Sequence, residues 1–90
     1  MIICERHWKE IRPEGREAAF PISISLPVND GLEASCSVIC GKEEVSIRGI
    51  DNWNAIQSAM LFVAAYVRLA EDGGVKYLTP TGEVAGAQML

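Results

Sequence analysis

What this chain of 90 residues has little of narrows its chemistry first: one histidine, three cysteines, and eight basic residues against twelve acidic ones. With a single imidazole, a Cys–His nucleophile pair would need His7 beside a thiol. Strand alternation sets His7 among the solvated residues and Cys4, Cys36 and Cys40 on apolar faces, so no such pair is expected. A net charge of -4 disfavours nucleic acid and anionic membrane, both of which select basic surfaces. The longest apolar run, Ala59 to Val67, is far below the ~20 residues of a membrane span. Glu5, Arg6, His7, Lys9 and Glu10 crowd the beginning of the chain, where a signal peptide would be continuously apolar. An odd cysteine count then reads as free thiols in a cytoplasmic protein.

Metal and phosphate chemistry are equally thin. Cys4, His7, Cys36 and Cys40 have the composition of a zinc site, but in an extended strand Cys36 and Cys40 would lie about 13 Å apart. Zinc–sulfur bonds of ~2.3 Å do not bridge that gap. Cys4 and His7, an odd number of positions apart, point to opposite faces. Gly41, Gly49, Gly73 and Gly74 form no phosphate cradle, and Asp51 would repel an anion at the helix entry. Trp8 and Trp53 lack the surrounding cations of a stacking platform for nucleic acid. No paired carboxylates stand out, and Glu43-Glu44 reads as a charged hairpin end. No metal, cofactor or catalytic residue is expected.

What is there is a clear fold pattern. Ile2 to Ile11 reads as a strand with Ile2, Cys4 and Trp8 on one face. After the turn residues Pro13 and Gly15, Glu17 to Leu26 alternates with a period of two, and Pro21 predicts an edge strand or a bulge. Glu33 to Cys40 and Glu44 to Gly49 follow as a hairpin around Gly41-Lys42-Glu43. Asp51 is a good N-cap and Gly73-Gly74 a good C-cap, which bound one long helix from about Asp51 to Asp72. Val75 to Leu78 reads as a short fifth strand. These elements predict an α+β fold: an antiparallel meander of four to five strands with one long helix packed on one face, in the order β-β-β-β-α-β. Residues 1–78 form a single domain, and 79–90, with Pro80, Gly82 and Gly86, read as a C-terminal tail for which order is not assumed.

Unrolled at ~100° per residue, the helix carries apolar side chains over roughly 220°. A sheet face needs a stripe of little more than ~100°. Val63, Ile56, Ala59 and Ala70 lie at the centre of the arc and are expected against the sheet. Phe62, Tyr66 and Leu69 on one flank, and Trp53, Met60 and Ala64 on the other, are surplus, so Trp53, Met60, Phe62, Tyr66 and Leu69 are the candidate interface.

The stretch Cys36 to Leu78 resembles a family of small bacterial proteins of unknown function. The residues that carry the resemblance are Cys36, Ile39-Cys40-Gly41, Ile47-Arg48-Gly49-Ile50-Asp51, Ala55-Ile56-Gln57 and Ala59. In that family a Gly-x-Asp turn enters a helix after a strand meander. The resemblance implies a bacterial, cytoplasmic setting and the same α+β architecture; it implies no site residue.

The wide apolar arc and the lack of convergent polar groups predict a non-enzymatic protein-interaction module, self-associating as a homodimer or meeting a protein partner. Two alternatives are an acidic immunity-type inhibitor of a basic toxin, suggested by size and charge, and a small-molecule-binding domain with a pocket between helix and sheet. The pocket requires a buried polar residue on the arc, and Tyr66 is the one candidate.

Overall fold

Alternating apolar residues form four long strands in the first half of the chain: β1 (Ile2–Ile11), β2 (Glu17–Ser25), β4 (Ala34–Cys40) and β5 (Glu43–Gly49), with a two-residue β3 (Val28–Asn29) between β2 and β4. Helix α1 (Asn52–Asp72) follows, then β6 (Lys76–Leu78), β7 (Val84–Ala85) and a 3-10 turn (Ala87–Met89). The computed structural model describes residues 1–90.

One antiparallel sheet contains every strand. From edge to edge it runs β5, β4, β2 with β3, β1, β6, β7. β5 pairs with β4 along its whole length, so β2 and β3 share the other side of β4, with Pro27 breaking the line between them. The expected α+β architecture is observed. What the alternation does not reveal is that the helix carries the chain from β5, at one edge, to β6, beside β1.

Pro21 marks neither an edge nor a bulge, because β2 is interior. The pairing of β2 with β4 ends at Ile22↔Cys40, so the position where proline has no N–H faces the β4–β5 turn. Its carbonyl accepts from the Gly41 N–H at 2.8 Å. No ladder donor is lost. Residues 79–90, read as a tail, form a turn, β7 and the 3-10 turn, with Ala85 buried in the core.

The ends of α1 follow from local chemistry. The Asp51 carboxylate accepts from the Asn54 N–H at 2.7 Å, and Asn54 Oδ1 reaches back to the Ile50 N–H at 3.0 Å. Two donors that would be orphans at the helix start are satisfied reciprocally. At the other end Gly74 takes a φ of +95°, its N–H donates to the Glu71 carbonyl, and the Val75 N–H donates to the Ala70 carbonyl. This is a Schellman closure, in which a left-handed glycine costs least. The half-buried Val75 and Ala70 both pack on the core beside it.

Small residues let helix and sheet approach closely. Ala55, Ala59, Val63 and Val67, four apart on one row of α1, are buried on Cys36, Val38 and Cys40 of β4 and the rest of the core. At the strand-to-helix turn a Cβ on Gly49 would stand 2.3 Å from the Ala55 backbone nitrogen. Backbone here meets backbone, with no flexible side chain to give way. Gly49→Ala is therefore expected to lower stability by about 1–3 kcal/mol in urea denaturation. Gly73→Ala, whose Cβ would meet nothing nearer than a carbonyl oxygen at 3.4 Å, should stay within about 0.5 kcal/mol of the parent.

Candidate functional site

The helix sits chiefly on β4 and β5, touches β2, and leaves the first half of β1 bare. Val63 and Ala59 are buried at the centre of its apolar arc, as expected, but Ile56 and Ala70 are only half covered. Val67, one turn beyond Val63, is fully buried. This offset decides where the surplus lies.

The five candidate interface residues do not form one patch. Trp53 (74% exposed), Met60 (54%) and Leu69 (72%) face solvent. Phe62 and Tyr66 pack on the core instead, with the Tyr66 ring 6.0 Å from Phe20 and 6.2 Å from Phe62. Leu61 is 71% exposed and adds to the apolar surface beside Met60. Met60 and Leu69 fall on two different hollows, and Trp53 lines neither.

The first hollow is a groove of about 330 Å³ between Met60, Leu61 and Ala64 of α1, the strip of sheet where Cys4 and Arg6 are exposed and Ile24 is buried, and Met89 and Leu90 near the end of the chain. Nine of its eleven lining residues are hydrophobic, which makes the groove a continuous apolar surface. Arg6 lies 5.5 Å over the Trp8 ring and has no carboxylate partner. The edge of β1 beside the groove is open as well, since β6 pairs only with Lys9 to Ile11. Glu5, Arg6 and His7 on the open stretch are exposed, and His7 Nε2 lies 3.5 Å from Glu5 Oε1. Mixed charge of this kind discourages indiscriminate pairing at an edge.

The second hollow, near the other end of α1, is polar at its base. Glu10 shares a face of β1 with Trp8 and is buried to 9% exposure. Its Oε1 accepts from Arg12 Nη2 at 3.1 Å. Tyr77 of β6 is 1% exposed, its ring 4.8 Å from Phe20 and 5.8 Å from Trp8, and its hydroxyl has no hydrogen-bond partner in the protein. Burial, then the charge of Glu10, pushes the Tyr77 phenol well above its ordinary range. Burial, then Glu43, raises Tyr66. Sequence reasoning singled out Tyr66 but missed Glu10 and Tyr77. Alternation from Trp8 could have placed Glu10 inside; nothing in the sequence joins Tyr77 to it.

Cys36 and Cys40 are buried on β4, whereas Cys4, on the same sheet face, is exposed because the helix stops short of it. Burial raises the Cys36 thiol and lifts that of Cys40 from 9.0 to about 11. No His, Cys, Asp or Glu side chains gather in the group of three or more that a metal would need. No helix is long and apolar enough to cross a membrane. The chain matches no family model, and comparison with curated proteins and with solved structures finds no match. The resemblance over Cys36 to Leu78 thus contributes no residue role.

The raised thiol has a signed consequence. Cys40 is held neutral in the fold, so the stability it contributes is fully present below its unfolded value of 9.0 and is lost as pH rises through about 11. Urea midpoints should fall across that window, and Cys40→Ala should flatten the fall while lowering stability at neutral pH by about 1 kcal/mol or more. Equal slopes for parent and variant would show that this thiol does not carry the effect.

Proposed function

We propose that this chain is a non-enzymatic interaction module that self-associates through the groove between α1 and β1. One observation carries the reading: the exposed side chains of Met60 and Leu61 share one groove with the exposed Cys4, Met89 and Leu90, so apolar surface is bare on more than one wall of it. Single exposed apolar residues are ordinary on protein surfaces, but a contiguous patch marks a contact. A second copy supplies what the groove lacks, because the open edge of β1 offers unpaired backbone groups that another extended strand satisfies. Trp53, Phe62, Tyr66 and Leu69 lie outside this surface; Met60 is the one residue of the expected interface within it.

A second reading, a small-molecule-binding domain, is favoured by the hollow at Glu10 and Tyr77, which has the buried polar group that a purely apolar groove lacks. For an acidic inhibitor of a basic toxin the support is the chain's small size and its net charge of -4.

Sedimentation velocity at tens of micromolar tests the main reading, since a specific dimer needs roughly 800 Å² of buried surface per partner and should persist there. The parent is expected as a dimer, and Leu61→Glu, on a side chain already in solvent, as a folded monomer. A monomeric parent, or a dimer untouched by Leu61→Glu, would sink the proposal.

A further inference from the structure

The hollow at the C-terminal end of α1 has a chemistry distinct from that of the apolar groove. Glu10 brings a carboxylate onto the inner face of the sheet, where every strand neighbour with the same orientation is apolar or aromatic. Tyr77 sets a phenol beside it, and that hydroxyl, buried and without a partner, has lone pairs still free to accept. A buried hydroxyl left unpaired costs about 1–3 kcal/mol, so its retention needs an explanation. Tyr66, Leu69, Ala70 and Val75 supply an aromatic and aliphatic wall around a volume of about 330 Å³. The surrounding charge is one-sided. Glu10 and Glu71 act on Tyr77, Glu43 and Glu10 act on Tyr66, and the opposing cation is Arg12. Arg12 holds Glu10 from a half-exposed side chain on the rim of the hollow, a position from which it can swing into water.

From this arrangement we infer that the hollow binds a primary alkylammonium group, which displaces the Arg12 guanidinium from Glu10 and donates a second hydrogen bond to the Tyr77 hydroxyl. The base of the site presents acceptors, and –NH₃⁺ is a compact group of three donors with no acceptor of its own. Its alkyl stem lies along Leu69 and Val75, and the ring of the half-buried Tyr66 favours a cation over an anion or a neutral polar group. An anion would face the Glu10 carboxylate, and a neutral alcohol in the place of Arg12 would leave the Glu10 charge uncompensated. The ligand takes the place of Arg12, so Arg12 is a competitor for the site. Self-association through the other hollow is not required.

Titration of the whole chain with n-butylammonium, followed by amide chemical shifts of β1 and β6, tests the inference. A saturable shift at about millimolar concentration is expected for so small a ligand, with n-butanol and butyrate giving none. Glu10→Gln should weaken binding about tenfold or more, as loss of a charge-assisted hydrogen bond implies. Arg12→Ala should tighten it. Tyr77→Phe, which fills the same space and removes the orphaned hydroxyl, should weaken binding several-fold while leaving the fold intact or more stable; it keeps the test open if Glu10→Gln does not fold. A lysine tripeptide with blocked ends serves as the second arm. If it binds like butylammonium, the natural source is a lysine side chain; if only the free amine binds, the source is a small amine, and either result upholds the site. The inference fails if butylammonium gives no saturable shift, if n-butanol matches it, or if Arg12→Ala weakens binding.

Discussion

Everything distinctive about this fold depends on how the start of α1 is seated against the end of β5. Gly49 removes the one side-chain atom that would separate the two backbones, and Ala55 and Ala59 continue the close approach along the helix. With its start fixed at the β5 edge, and with Asp51 and Asn54 closing the first turn there, α1 lies over β4 and β5 and not over the middle of the sheet. A sheet this wide is then only partly roofed by a single helix. The bare strip of β1 and the two hollows flanking the helix are geometrical consequences of that seating.

Much of the fold was legible in the sequence because the signals were local. Alternation from Glu17 to Leu26 and from Glu33 to Cys40, turn glycines, and the Asp51 and Gly73-Gly74 caps each act within a few residues, and each produced an element, the two strands running Glu17–Ser25 and Ala34–Cys40. What the sequence withheld was non-local. Pro21 argued for an edge because a proline interrupts a ladder, yet β4 turns away where the missing donor would have been needed. The segment from Thr79 onward lacks any periodicity of its own and takes its strand from pairing with β6. The helical wheel showed an apolar surplus but could not say which flank would be covered. The answer came from tertiary contacts: Phe62 and Tyr66 close on Phe20, and Leu61 stays in water with Met60.

The candidate sites show the same division. Met60 was legible as surplus apolar surface, whereas the groove exists only because Cys4, Arg6 and Ile24 lie opposite it in the sheet. Glu10 was hidden among the charged residues of β1, although its parity with Trp8 placed it inside. Tyr77 joins it through the pairing of β1 with β6, a contact between chain segments far apart in sequence. The apolar groove suits another folded surface, and the carboxylate–phenol hollow suits a small cationic group. The two hollows have no lining residue in common.

The central claim is that the strip of β1 beside Met60 and Leu61 is covered by a second copy of the chain. Cys4 lies on that strip and is the one exposed thiol, which makes it a direct reporter. Its alkylation rate should be measured across protein concentrations from well below to well above tens of micromolar, the range in which a moderate dimer assembles. The account predicts that Cys4 becomes progressively protected as concentration rises, and that Leu61→Glu abolishes the protection. A rate independent of concentration in the parent chain would contradict it.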